Sequence, residues 1–93
     1  MKLQIDYSKQ AQKFLMQNEA ILTIEQTNKL IIKAMKKLLK IENTNIDVQA
    51  MKGEWCGFYR IRVGNVRMIF SYQNDVIIIV SVLAIGFRGN IYK

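Results

Sequence analysis

The sequence has no histidine, no proline and a single cysteine, Cys56. Without histidine, the chain lacks the usual general base at neutral pH and the commonest protein ligand for metals. One cysteine cannot form an internal disulfide, and without histidine it does not make a zinc site. We therefore expect no metal and no cofactor. Nothing in this pattern requires an oxidising compartment, so the cytoplasm is the expected location.

Long apolar runs are missing as well. The first six residues contain no apolar signal segment. The longest apolar stretch, from Val76 to Ile85, is about half of the roughly 20 residues that cross a bilayer as a helix. We expect neither export by a signal peptide nor contact with a membrane.

The composition predicts one folded, basic domain. A chain of 93 residues supports a single core, so we expect one domain over residues 1–93. A hydrophobic share of 51% is sufficient for a globular fold. Fourteen lysines and arginines exceed seven acidic residues, which gives a formal charge of +7. This charge favours polyanions or an acidic protein as partners.

The N-terminal half predicts a short strand followed by two helices. Apolar and polar residues alternate over residues 3–7, and Ser8 can cap the helix that follows. Thr23 and Gln26 match a capping box, which marks the start of the second helix. Apolar residues then recur at helical spacing opposite a stripe of lysines, until the pattern ends near residues 42–45. The lysine stripe could contact a phosphate backbone, but we favour a solvated face on a basic protein.

The C-terminal half changes to a β pattern. Predicted strands cover residues 46–50, 58–63, 66–72 and 76–85. Helices first and strands second, joined by tight turns, predict an α+β fold in which two N-terminal helices pack on one face of a twisted antiparallel β-sheet. The last strand is apolar at nearly every position and should be central.

A hairpin with arginines on one face is the most informative local pattern. Gly64 and Asn65 form a two-residue turn signal, which pairs residue 63 with 66 and, at the far end, 59 with 70. In that register Arg62 faces Arg67, and both share a face with Arg60. Opposed arginines repel by about 0.2–1 kcal/mol, and the two strands contain no carboxylate. We therefore favour an anion-binding face over an ion-paired one.

Three segments resemble the RelE/ParE superfamily, and most closely the RelE family of toxin–antitoxin toxins. They are MKG at 51–53, YRIRVGNVRMIF at 59–70 and IGFRGNIY at 85–92. The resemblance is strong from Lys52 to Tyr92 and weak in the helices. It implies a RelE-like fold, an antitoxin that holds the protein inactive, and cleavage of messenger RNA in the ribosomal A site.

The resemblance also implies roles for individual residues. The family's chemistry is metal-independent attack of a ribose 2′-hydroxyl on the adjacent phosphate. By position, Arg62 and Arg67 would stabilise the developing charge, Arg88 would lie at the leaving group, and Tyr92 would stack on or orient a base. Four further residues would bind RNA: Lys52, Arg60, Phe87 and Lys93.

The sequence departs from the family pattern at the proton acceptor. Relatives often carry lysine at one of the positions of Arg60 and Arg62, and histidine at the position of Phe87. A guanidinium effectively cannot lose its proton, so the base must be another group. Tyr92, Lys52 and ribosomal RNA are the candidates. Phe87 is either a stacking surface or a core residue, and we favour the core.

Three functions remain open from the sequence. The first is a ribosome-dependent endoribonuclease that also contacts ribosomal RNA. The second is a ParE-like inhibitor of DNA gyrase, and the third is a catalytically weak toxin that acts as an antitoxin-bound corepressor. In each case we expect a hetero-oligomer with an antitoxin that supplies acidic and apolar residues through a helix or an added strand.

Overall fold

The computed structural model describes residues 2–89 and has the predicted α+β class. Its elements, in chain order, are β1 (Leu3–Tyr7), α1 (Lys9–Gln17), α2 (Ile24–Leu38), β2 (Asp47–Ala50), a 3-10 turn (Gly53–Trp55), β3 (Tyr59–Val63), β4 (Val66–Asn74) and β5 (Ile78–Phe87).

The five strands form one sheet in the order β1-β5-β4-β3-β2. Neighbouring strands are antiparallel except β1, which pairs in parallel with β5. β5 therefore lies inside the sheet, between β1 and β4, as its apolar sequence predicts. It begins at Ile78, later than predicted, because Val76 lies in the preceding turn and is 94% exposed.

Both helices begin at the caps that the sequence predicts. The Ser8 hydroxyl accepts a hydrogen bond from the Ala11 amide at 3.1 Å, at the start of α1. At the start of α2 the Gln26 amide donates to the Thr23 hydroxyl at 3.2 Å, and the Thr23 amide donates to the Gln26 side chain at 3.0 Å. These bonds satisfy backbone donors that a helix start leaves without partners. The apolar stripes of the two helices then pack on one face of the sheet and form the core with it.

The second helix ends at Leu38, earlier than the sequence pattern indicates. Its end is a Schellman motif, in which the Ile41 amide donates to the Lys36 carbonyl at 2.9 Å and the Lys40 amide donates to the Lys37 carbonyl at 3.2 Å. Lys40 holds the left-handed position of this motif, with φ of 58°. Glycine is the usual residue there, because a side chain is strained in that conformation.

Lys40→Gly is expected to raise the free energy of unfolding by about 0.5–1 kcal/mol. Glycine removes a left-handed strain of roughly 1–2 kcal/mol, and its greater freedom in the unfolded chain offsets part of the gain. Urea denaturation measures the change. Lys13→Gly, in the middle of α1, is the matched control and should lower stability by about 1 kcal/mol. A Lys40→Gly protein no more stable than the parent would contradict the assigned helix end.

The β3–β4 hairpin has the predicted register. Val63 pairs with Val66, Arg62 with Arg67, and the pairing continues to Tyr59 with Phe70. Gly64 takes the positive φ that the turn requires, at 56°. Alternation along both strands therefore separates an apolar face, which lies under the helices, from a face that carries arginines.

Candidate nucleic-acid interface

The arginine face is the sheet surface opposite the helices. Strand pairing places Arg62 of β3 between Arg67 of β4 and Asp47 of β2. Arg60, two residues earlier on β3, lies beside Gln49 of β2. We use "arginine face" for these five residues, because side chains two apart on a strand and directly opposite across strands share one surface.

Asp47 corrects the expectation that no carboxylate neutralises these arginines. The Arg62 Nε donates to Asp47 Oδ2 at 2.8 Å. The other carboxylate oxygen, Oδ1, lies 4.0 Å from Nη2 of Arg60. The hairpin itself contains no carboxylate, as the sequence shows, but the neighbouring strand β2 supplies one. The arginine face is therefore partly ion-paired.

Arg62 is the arginine of the face that is most available to a ligand. Its side chain is 48% exposed, and only its Nε is hydrogen-bonded to another described residue. Arg60 is more enclosed, since its Nη2 donates to the Gln49 side chain at 3.0 Å. The buried Nε of Arg60 has no hydrogen-bond partner among residues 2–89. The free terminal nitrogens of Arg62 have the fork geometry that binds two phosphate oxygens at once.

Arg67 is less accessible than its predicted role requires. It is 7% exposed, and its Nη1 donates to the backbone carbonyls of Gly64 at 3.2 Å and Val66 at 3.3 Å. The side chain thus supports the hairpin turn. Its charge still contributes to the positive potential of the arginine face, because Coulomb interactions do not require direct contact.

Lys52 and Arg88 lie at opposite ends of this surface. Lys52 and Arg60 share a cleft of about 150 Å³ with Gln49, where the chain leaves β2. Arg88 follows β5, and its backbone amide donates to the Asn65 carbonyl at 2.9 Å, which fixes it beside the hairpin turn. Both residues are exposed, so their charges extend the basic surface beyond the strands.

The structure separates Phe87 from the other predicted site residues within 2–89. Phe87 pairs with Val66, on the face under the helices, and its ring packs edge-to-face on Phe14 with centroids 5.1 Å apart. This placement supports the core interpretation of Phe87 and removes it from the surface where it was expected to contact RNA. Tyr92 and Lys93 lie outside the described residues.

Within residues 2–89 no three histidine, cysteine, aspartate or glutamate side chains come together in a way that could hold a metal ion. No helix in the same range is long and apolar enough to cross a membrane.

Fold and surface together define an α+β protein with a basic sheet face. No family model matches the sequence, and no curated protein matches it. Several solved structures, however, are similar to this chain. A copper-bound mutant toxin from Helicobacter pylori is similar with a TM-score of 0.62 and 19% identity, over 92% of this chain and 94% of that one.

Two other solved structures share the same fold. YafQ from E. coli strain BL21(DE3) has a TM-score of 0.60 and 13% identity, over 94% of each chain. The toxin–antitoxin complex RelBE2 from Mycobacterium tuberculosis has a TM-score of 0.57 and 15% identity, over 95% of this chain and 100% of that one. The fold is thus that of toxins from toxin–antitoxin systems, as the sequence resemblance implies.

Proposed function

We propose that this protein is the toxin of a type II toxin–antitoxin pair and that it cleaves messenger RNA on the ribosome. The observation that carries the proposal is the arginine face on a RelE-like fold, with the half-exposed guanidinium of Arg62 at its centre. Arg60, Lys52 and Arg88 extend the positive charge on either side. A surface of this charge attracts an RNA backbone and places guanidinium groups against its phosphates.

The proposed reaction needs no metal ion. A base takes the 2′-proton while the ribose 2′-oxygen attacks the adjacent phosphorus, and the bond from phosphorus to the 5′-oxygen breaks. The leaving 5′-oxygen takes a proton from water, so the products carry a 2′,3′-cyclic phosphate and a 5′-hydroxyl. Arg62 binds the phosphate oxygens through its terminal nitrogens, where charge develops in the transition state. Arg60 holds the neighbouring backbone. Arg88, whose backbone is held beside the hairpin turn, would lie at the leaving 5′-oxygen.

Lys52 is our candidate for the group that accepts the 2′-proton. The guanidinium groups of the arginine face cannot fill that role, because they keep their protons at any ordinary pH. An amine can release its proton, and the Lys52 side chain shares a cleft with Arg60.

Lys52→Arg is expected to lower the cleavage rate by about 10²–10⁴-fold, the usual contribution of general acid–base catalysis. Arginine keeps the positive charge, so RNA affinity should change by less than about threefold. Single-turnover cleavage on ribosomes and separate RNA-binding measurements distinguish the two effects. The exposed Lys13 offers a matched control, since Lys13→Arg should leave both values unchanged. Full cleavage by Lys52→Arg would limit Lys52 to an electrostatic role.

We also propose an acidic, apolar antitoxin as the partner. The formal charge of +7 favours such a protein, and exposed apolar side chains at Met16, Ile21 and Ile24 offer it a contact surface at the ends of the two helices. One of the similar structures is itself a toxin–antitoxin complex. Co-expression of the neighbouring gene product should relieve growth inhibition by this chain. Unrelieved inhibition would contradict the pairing.

One observation favours the corepressor alternative. Asp47 already neutralises part of the charge of Arg62 and Arg60, as expected for a surface that no longer acts on RNA. That function predicts harmless expression without the antitoxin, together with tighter operator binding by the antitoxin when this chain is present. Growth inhibition with loss of messenger RNA excludes it.

The chemistry of the cleaved ends tests the proposed function. Purified protein is incubated with ribosomes stalled on a defined messenger RNA. The proposal predicts 5′-hydroxyl ends, which polynucleotide kinase labels without prior phosphatase treatment. Ends that carry a 5′-phosphate, or no new ends from a folded protein, would contradict it.

A further inference from the structure

Asp47 pairs with two arginines of the arginine face, the half-exposed Arg62 and the more enclosed Arg60. Strand register sets it directly opposite Arg62, and its two oxygens divide between Arg62 at 2.8 Å and Arg60 at 4.0 Å. The Asp47 side chain is 36% exposed, so the carboxylate lies on the surface that a ligand must approach. It is an anion placed where RNA phosphate is proposed to bind.

A carboxylate in this position opposes phosphate binding in two ways. It occupies Nε of Arg62, and thus one of the two edges with which a guanidinium binds an anion bidentately. Its own negative charge also repels a phosphate that binds the remaining edge, since like charges a few ångströms apart repel even near a protein surface. RNA must displace Asp47 or tolerate its charge.

We infer that Asp47 is an internal competitor of RNA phosphate for Arg62 and Arg60, and that it limits the RNA affinity of the arginine face. The inference rests on the proposed function, because it assumes that this face binds RNA. The pair is partly exposed and therefore of modest strength, so a phosphate backbone that makes several contacts can displace the carboxylate.

The Asp47→Asn variant distinguishes competition with RNA phosphate from a role of Asp47 in orienting Arg62. Asparagine is nearly the same size and keeps an oxygen that can accept the hydrogen bond from Arg62 Nε, so the guanidinium remains oriented while the negative charge is lost. If Asp47 served mainly to orient Arg62, the asparagine variant would bind RNA about as well as the parent, and Asp47→Ala would bind it less well. Competition predicts tighter binding for both variants.

The test measures binding of a 2′-O-methylated single-stranded RNA oligonucleotide, which the proposed chemistry cannot cleave, over a range of salt concentrations. Asp75→Asn is the matched control, since it makes the same change in net charge in the exposed turn between β4 and β5. Asp47→Asn should bind about three- to tenfold more tightly than Asp75→Asn at low salt, because it frees one guanidinium for phosphate. The logarithm of its binding constant should also fall more steeply with the logarithm of the salt concentration, by about 0.7 in slope. This is the value for one more neutralised phosphate on a single strand.

The gain should depend on Arg62. In an Arg62→Ala background, Asp47→Asn should add less than about twofold, because the group for which the carboxylate competes is missing. Asp47→Asn that binds no tighter than Asp75→Asn, or a gain that persists without Arg62, would overturn the inference while leaving RNA binding by the parent intact. Absence of binding by every variant would overturn both this inference and the proposed function.

Discussion

Arg62→Ala is expected to reduce ribosome-dependent cleavage of messenger RNA by about 10²–10³-fold, the typical loss when one group that stabilises transition-state charge is removed. Arg62 is the best-exposed arginine of the arginine face, and its terminal nitrogens are free of described partners. The fold should survive, because a half-exposed ion pair contributes only about 0.2–1 kcal/mol to stability. The loss should therefore appear in the cleavage rate and hardly in thermal unfolding.

The control for Arg62→Ala is Lys13→Ala. Lys13 is exposed on α1, away from the arginine face, and its removal makes the same change in net charge. It should keep at least about half of the parent activity, since a distant charge acts only through a screened field. Parent-level cleavage by a folded Arg62→Ala protein would show that the arginine face is not the active surface.

Arg67→Ala is a poorer probe of the same site. Its side chain is nearly buried and hydrogen-bonds to carbonyls of the hairpin turn. Truncation would leave those carbonyls without this donor, so lost activity would combine a structural and an electrostatic cause.

Phe70→Ala is expected to lower the free energy of unfolding by about 3–5 kcal/mol, the usual cost of emptying a buried aromatic site. Phe70 lies on β4 in the middle of the sheet, is 0% exposed, and stacks against Tyr59 with ring centroids 5.7 Å apart. Small domains are stable by only about 5–15 kcal/mol, so this single change should bring the protein close to unfolding at 37 °C. Urea denaturation monitored by circular dichroism gives the value.

Two variants serve as controls for Phe70→Ala. Val76→Ala removes a fully solvated side chain and should change stability by less than about 0.5 kcal/mol. Phe70→Leu keeps most of the buried volume and should lose clearly less than the alanine variant. A loss below about 1 kcal/mol for Phe70→Ala would contradict the packing of β4 against the helices.

The features that the sequence predicts correctly are local ones. Ser8 and Thr23 cap helices because a side-chain oxygen reaches an amide three residues away, which depends on little else in the chain. Gly64 and Asn65 set the hairpin register because a two-residue turn leaves one way to pair the flanking strands. Both patterns can be recognised without knowing the rest of the fold.

The features that escape sequence analysis depend on pairing over longer distances. β1 joins β5 in parallel across most of the chain, and no turn connects them to reveal it. Asp47 lies opposite Arg62 because β2 pairs with β3 across the connection at residues 51–58, too long for turn chemistry to fix a register. The alternation of Asp47 and Gln49 on a predicted strand was the available signal, but it does not say which strand lies alongside.

The sequence also does not predict that Arg67 is buried, but long-range strand pairing is not the reason. Strand alternation correctly places it on the face opposite the helices, but alternation says nothing of where a long side chain turns. The guanidinium bends back to the carbonyls of the turn, which are acceptors that a β-hairpin always offers at its end.

Mapping the 5′ ends of a defined messenger RNA, after incubation with the purified protein in the presence and absence of ribosomes, tests the central claim most directly. The claim predicts new ends at defined positions within the translated region, only when ribosomes are present, and about 10²–10³-fold fewer with Arg62→Ala. No new ends from a folded and growth-inhibiting protein, accompanied by inhibition of gyrase supercoiling, would contradict it and favour the gyrase-directed function.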